Sequence, residues 1–370
     1  MPSSPITGPS RPLLTEMFAT IPDPRDPRGV RHPLSTVLTL AQAGVIAGAE
    51  TLVGIAEWAN DADRDQLARL GIDPGVVLPS ESTIRRTLAC LDGDGLDAKI
   101  AAWMAVRTGE IAGRRVIAVD GKSLRGGARP QGEMPHLLAA LCQDTGVVAG
   151  QRAVRAKRNE IPALPELLET FDLDGAVVTA DAMHCQRDTA EWITARGGGY
   201  VLTVKSNQPT LRRHLKQLPW KNVPPTSTVS TGHGRRARRT IKAVQVPGWV
   251  DFPGAAQVLQ LRRTRTVKGH KTTEVVYLIC SLSMAEAPPA AVAAWVQGHW
   301  GIENRLHWVR DVVYDEDRHQ LRTGTGPQVM ATLRNTAISL LRLTGHTRIA
   351  KALRHYGRDS KRPVELILTA

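Results

Sequence analysis

Two stretches decide how this chain is read: VIAVDGKSLRGG at residues 116–127 and VVTADAMHCQ at residues 177–186. Residues 116–119 are a short β-branched apolar run that stops at Asp120 and Gly121, the pattern of a buried central strand. Residues 176–180 repeat the pattern and stop at Asp181. Between them, residues 136–142 and 147–154 predict two strands joined by a turn at 144–146. A helix then begins between Asn159 and Pro165, with Ile161, Leu164, Leu168 and Phe171 on one side. Residues 186–195 predict a second helix, closed by the glycines at 197–199, and residues 200–204 a fifth strand. Three strands, helix, strand, helix, strand is an α/β sheet with a mixed edge.

Working outward, residues 206–282 show β-like runs at 240–246, 257–261 and 274–280, separated by Gly, Pro and basic turns, and predict a mostly β insertion. A long helix follows at about residues 290–313, where Val292, Trp295, Ile302, Leu306, Val309 and Val313 make one apolar stripe. Glu303 lies at the edge of that stripe, where its side chain can reach back over the sheet. Helices at 329–343 and 349–353 finish the chain, and no internal repeat is evident.

Asp120, Asp181 and Glu303 can therefore meet at the carboxyl ends of an open α/β sheet, where such sheets hold their ligands. Carboxylates crowded this way repel unless cations sit between them, and Mg²⁺ suits a few carboxylates plus phosphate oxygens. Two such ions, roughly 3.5–4 Å apart, activate an attacking oxygen and stabilise a leaving oxygen in phosphoryl displacement. The chemistry thus predicts a phosphodiester partner.

The charge distribution points the same way. The chain of 370 residues carries a net +13, yet residues 1–110 hold 10 Lys+Arg against 14 Asp+Glu. Residues 205–271 hold 15 Lys+Arg and one acid, Asp251, so this segment alone exceeds the charge of the whole chain. So one-sided a run suggests a polyanion such as nucleic acid, because Lys and Arg neutralise phosphates and release condensed counterions; the alternative is a solvated basic face kept for solubility. Lys205, Arg235, Arg236, Arg238 and Arg239 are its candidate DNA contacts.

Residues 12–105 read as a small helical domain. Ile84, Leu88 and Leu91 recur at one-face spacing, with Ser80 or Ser82 as cap, and Arg85 and Arg86 point away from that face as a recognition helix would arrange them. The block's net acidity also allows a purely packing domain. Cys90, Cys142, Cys185 and Cys280 lie far apart with no C-x-x-C pair, which argues against a disulfide framework or zinc knuckle. Residues 1–20 lack a continuous apolar core for a secretory signal, and the apolar stretch at 37–49 is too short to span a bilayer. A cytoplasmic protein without membrane contact is expected.

Six segments in order carry a resemblance: VIAVDGKSLRGG, RAKRNEIPALPELL, VVTADAMHCQ, YVLTVKSNQ, TGHGRRARR and HWGIENRLHWVRDVVYDED. Together with IPDPRDPRGVRHPL and PSESTIRR near the start, they resemble bacterial insertion-sequence transposases of the ISAs group, also called H-repeat-associated proteins. The likeness covers about residues 20–345. It implies a ribonuclease H-like fold with a β-rich insertion before the last catalytic helix, preceded by a small helical N-terminal domain. It implies a DDE triad of Asp120, Asp181 and Glu303 that binds Mg²⁺, with Mn²⁺ substituting, and cleavage and strand transfer on double-stranded DNA by a homodimer. The organisation expected is a domain at 12–105, a catalytic domain at 111–345 with its insertion at about 206–282, and a helical tail at 346–370.

The chain departs from the signature that related transposases show around the last acid: His299 stands at the Arg-like position and Arg310 at the Lys-like one, which makes Arg310 a further candidate DNA contact. Arg158 stands where the group has Ser. Other readings compete. His299, Glu303 and His307 share one helix face and could hold zinc. His184 and Cys185 could be a nucleophile pair, although neighbours on a strand end point opposite ways. Asp311 is the reserve third acid, and Lys205, Ser206 and Asn207 could touch phosphate or merely turn the chain. The rival to an enzyme is a transposon-derived DNA-binding protein that no longer catalyses.

Overall fold

The β-branched residues Val116, Ile117 and Val119 favour extended backbone, and β1 (Val116–Ser123) continues through Asp120 where the sequence suggested a stop. The computed structural model describes residues 12–108, 113–128, 134–154, 160–232 and 235–370. β2 (His136–Cys142) pairs antiparallel with β1 from Ile117–Cys142 to Ser123–His136, which carries β1 past its acid. On the other edge β4 (Val177–Ala180) runs parallel and its ladder ends at Val119–Ala180. What stops before Asp120 is one ladder and not the strand. β3 (Val148–Val154) borders β2, and β5 (Gly199–Val204) runs parallel to β4. This is the ribonuclease H-like arrangement, with β3-β2-β1-β4-β5 as its order.

Among the described residues the α-helices are, in chain order, α1 (Leu14–Ala19), α2 (Leu34–Ile46), α3 (Leu52–Asp61), α4 (Arg64–Arg69), α5 (Glu81–Cys90), α6 (Gly93–Thr108), α7 (Glu160–Leu168), α8 (Arg187–Thr194), α9 (Pro209–Gln217), α10 (Pro289–Ile302), α11 (Gly326–Leu343), α12 (Ile349–Tyr356) and α13 (Lys361–Thr369). The stretch expected to be mostly β from residue 206 therefore opens with a helix. Pro209 sits in the first turn of α9, and Leu211 and Leu215, one turn apart, are buried. Arg158 and Asn159 lie outside the described residues, as do residues 111–112.

The remaining strands are β6 (Thr226–Gly232), β7 (Arg235–Gln245), β8 (Gln257–Val267) and β9 (His270–Cys280). They are not a separate sheet: β9 pairs antiparallel with β5, from Val201–Cys280 to Val204–Tyr277, so the order continues β5-β9-β8-β7-β6. The three long strands run well into the arginine-rich segments that the sequence left as turns, because each is paired along its length.

Alternation along β1 sends side chains to two cores. Ile117 and Val119 pack with Leu164, Leu167, Ile193 and Leu211 of α7, α8 and α9. Val116 joins Val177, Val201, Leu259 and Val292 under α10, while Ala118 joins the helical core built from α2, α5, α6 and α11. α2 is buried almost all round, which explains its continuous hydrophobicity: it packs among helices, with the Gln42 side chain donating 3.1 Å to the Leu333 carbonyl of α11. Among the described residues no helix is long and apolar enough to cross a membrane.

Candidate active site

Asp120 shares the face of Val116 and Ala118, and Asp181 that of Val177 and Thr179, so both carboxylates stand on the α10 side of two paired parallel strands. Asp181 follows β4 directly and opens a short 3₁₀ turn, but its side chain makes no capping hydrogen bond. An acid at that place commonly serves as a cap. Here the carboxylate is exposed and faces outward.

Gly121 has a local reason. A Cβ there would come within 2.5 Å of Glu160 Oε2 and 2.7 Å of His136 Nε2, on the far side of the sheet from Asp120. Behind the acids, His136 Nε2 donates to Glu160 Oε1 at 2.7 Å, His136 Nδ1 lies 2.9 Å from Ser123 Oγ, and His184 Nε2 lies 3.6 Å from Glu160 Oε2. Burial works against the Glu160 charge, yet its hydrogen bonds to His136 and His184 outweigh it and bring the carboxyl down to about 2. This buried group ties together the end of β1, β2, α7 and the turn after Asp181. His184 is thus structural, and Cys185 is no nucleophile, because burial pushes its thiol up to about 12. Asn207 and Gln208 also hold that turn, donating to the carbonyls of Ala182 at 2.5 Å and Cys185 at 2.8 Å. Lys205 is exposed just beyond β5, on the same rim.

Glu303 begins a π-helical segment, residues 303–307, that continues α10, and a second one covers residues 309–313. π turns are rare and concentrate at functional sites. The wider winding turns consecutive pairs inward: Leu306 and Val309, on the stripe as the sequence predicts, are joined in burial by His307 and Arg310, which the stripe did not include. His307 Nδ1 donates to Glu303 Oε2 at 3.2 Å and lies 3.5 Å from Asp120 Oδ2. Ligand atoms of Asp120, Glu303 and His307 all fall within 4.8 Å of one another. The His307 bond lowers the Glu303 carboxyl from its ordinary value. Asp120 moves the other way, raised by burial and by Asp181 against the pull of His307 and His299. His299 is turned to Thr179, Nδ1 to Oγ1 3.1 Å, and burial lowers it despite the attraction of Asp120 and Asp181. The zinc reading grouped His299 with Glu303 and His307, whereas the third member of this cluster is Asp120.

Two expectations change. Arg310 is fully buried and cannot face DNA here: its Nε donates to both Glu316 oxygens at 3.0 and 2.9 Å, and Arg334 donates to Glu316 Oε1 at 3.0 Å. Burial resists the Glu316 charge, but these two guanidiniums prevail and bring it to about 2. Asp311, the reserve acid, is ion-paired with Lys122. In the N-terminal block, Ser80 Oγ accepts from Thr83 N at 3.4 Å, Ile84 and Leu88 are buried, and Arg85 and Arg86 are exposed on α5, with Arg85 3.3 Å from Glu81. Arg235, Arg236 and Arg238 are exposed on β7, and Arg239 is half-buried.

Strand-end acids with a helix-borne glutamate and histidine gathered beside one of them, on a sheet of ribonuclease H-like order, define a general class of acidic site. Comparison makes it particular: the chain belongs to the DDE transposases, with the family described as Transposase DDE domain matching residues 111–340 and the one described as DDE_Tnp_1-associated matching residues 15–104. YncI of Escherichia coli, named as a transposase, is 32% identical over 344 residues, covering 89% of this chain and 87% of that protein. YhhI of Escherichia coli, named as an H repeat-associated transposase, is 31% identical and covers 89% and 90%. Among solved structures, the piggyBac transposase synaptic complex with hairpin DNA aligns at TM-score 0.42 and 12% identity over 93% of this chain and 76% of that one. The protein is a DNA transposase of the DDE type.

Proposed function

We propose that this transposase cuts the ends of an insertion sequence and joins them to target DNA, with Asp120, Asp181 and Glu303 as its metal-binding triad. The observation that carries this is the ladder ending at Val119–Ala180, which sets Asp120 and Asp181 side by side beneath the π turn of Glu303. The donor set suits a hard divalent cation: Asp120 and Glu303 offer carboxylate oxygens within 4.8 Å of His307, and Asp181, which stands outside that cluster, follows the strand paired beside Asp120. Mg²⁺, with Mn²⁺ as substitute, would polarise the scissile phosphate and activate the attacking oxygen. The chain's own residues orient and hold. His307 fixes the Glu303 carboxylate, and the Glu160 group with Asn207 fixes the Asp181 turn. Water would attack the phosphodiester at the element's end and free a 3′-OH, which would then attack a target phosphodiester and displace the target strand's own 3′-oxygen. Two copies on DNA, Lys205 at the rim and Arg85 and Arg86 on α5 complete the reading, with α5 contacting the element's ends.

The test is a parallel gel-shift and plasmid-nicking assay on wild type, Asp120→Asn, Asp181→Asn, Glu303→Gln and Asp311→Asn. The first three substitutions should cut nicking in Mg²⁺ or Mn²⁺ by roughly a hundredfold or more while DNA binding persists. Asp311→Asn should leave nicking largely intact. In Ca²⁺ the wild type should bind DNA yet cleave little, since its longer, less regular coordination misplaces the reacting oxygens. Retained cleavage in any of the three variants removes that residue from the triad.

A further inference from the structure

The cations of β7 and β8 are divided between two faces by the strand register, because directly paired residues project to the same side. β7 pairs Arg235 with Val267, Ala237 with Arg265 and Arg239 with Arg263. These share the face of Ile241 and Leu259, which pack with Val116, Val177 and Val292 on the acid side of the sheet. Arg236 and Arg238 pair with Thr266 and Thr264 and belong to the other face, that of Val258 and Tyr277.

The arm also reaches toward the acids' end. β9 leaves β5 at the Val204–Tyr277 pair, and its earlier residues lie beyond the carboxyl end of β5, the end at which Asp120 and Asp181 stand. Arg263 pairs with Glu274, three residues past that point, so its row lies about 10 Å beyond the end of β5.

The two faces differ in how they treat their charges. Like charges directly opposite one another destabilise a sheet, and the acid-side face opposes Arg239 to Arg263. Burial, Arg263 and Arg235 together lower the Arg239 guanidinium from its ordinary value. Among the described residues, Arg263 Nε is buried without a hydrogen-bond partner, and Arg239 is met by Ser230 Oγ at 3.3 Å. Glu274 of β9 is the direct register partner of Arg263, yet among the described residues no carboxylate lies within ion-pair distance of either arginine. On the opposite face each arginine has a threonine as partner: Arg236 with Thr266, Arg238 with Thr264 and Arg262 with Thr240. Only the acid-side face holds guanidiniums together against their own repulsion, an arrangement that a bound phosphate relieves.

We propose that Arg235, Arg239, Arg263 and Arg265 form the phosphate track for duplex DNA leading to the acids, gripped at the Arg239–Arg263 pair, and that Arg236 and Arg238 lie off it. The proposal rests on the reading that the protein acts on DNA, and it replaces a run of arginines along one strand with a face shared by two strands.

Fluorescence anisotropy of a labelled duplex, titrated with the full chain across a range of salt, tests it. Arg239→Gln with Arg263→Gln should flatten the slope of log affinity against log salt by up to about 1.8, at about 0.9 per lost phosphate contact. Arg236→Gln with Arg238→Gln should leave that slope unchanged, and the Arg239→Lys, Arg263→Lys pair should largely keep it. Because repulsion is removed, the Arg239→Gln, Arg263→Gln protein should melt no lower than wild type. Equal losses from both Gln pairs, or a larger loss from Arg236 and Arg238, would overturn the face assignment while leaving DNA binding intact. A wild-type chain that binds no duplex at low salt would overturn the DNA reading itself.

Discussion

Asp120 has His307 3.5 Å away and Asp181 beside it, while at the far part of the same sheet Arg239 faces Arg263 and, among the described residues, no carboxylate lies within ion-pair distance of either. Both regions crowd like charges. At the acid edge the protein compensates, with histidines between the carboxylates and a buried Glu160 group holding the turn beneath. On the arm it does not, and the repulsion stays until an anion arrives. The difference follows from solvation. Half-buried guanidiniums keep part of their water and can stand opposed, whereas charges sunk in the core must be paired or neutralised.

The largest effect on stability should come from the compensated side. Glu316→Gln leaves Arg310 and Arg334 buried without their shared carboxylate, and breaking such a group costs about 3–5 kcal/mol. Urea unfolding measures it. A loss no greater than that of a surface substitution would remove the contrast between the two regions.

A pH titration sharpens the comparison next. The carboxyls of Glu160 and Glu316 sit at about 2 in the fold, below their ordinary 4.5. Groups depressed this way stabilise the fold above about 4.5, and that contribution is lost as pH falls from there toward 2. Asp97 works in the opposite sense: burial dominates its hydrogen bonds from Gln328, Thr332 and Gln151 and raises it to about 7, so it takes stability away as pH rises from 3.8 to about 7. Thermal melts should show Glu160→Gln flattening the acid limb and Asp97→Asn flattening the decline toward neutrality. Unchanged limbs would mean these groups titrate normally in the fold.

The smallest effect belongs to an exposed pair. Arg85→Ala breaks only the Glu81 contact, so stability should change by less than about 0.5 kcal/mol. If α5 reads bases, the same variant should lose about 1–3 kcal/mol of discrimination between the element's ends and random DNA. Equal loss on both sequences would reduce Arg85 to a phosphate contact, and no loss would leave α5 as a packing helix.

Local pattern carried much of the fold. The β-branched runs before Asp120 and Asp181, the one-face spacing of Ile84 and Leu88, and the ordered family motifs are all set by residues close in sequence. By itself the sequence determined the strand–helix order from β1 to β5, the transposase family and the concentration of positive charge between residues 205 and 271. It could not show that the basic strands extend the central sheet, because the Val201–Cys280 pairing joins residues far apart in the chain. Nor could it separate Arg239 from Arg238, since register is a relation between strands and one residue's shift changes the face. The winding around Glu303 was hidden for a similar reason. An apolar stripe fits an α-helix and a π-bulged one alike, and only packing against Glu316 and Asp120 turns Arg310 and His307 inward. Which charges would be paired and which left opposed was decided by tertiary contact, because electrostatic energy depends on distance and burial, and neither is written along the chain.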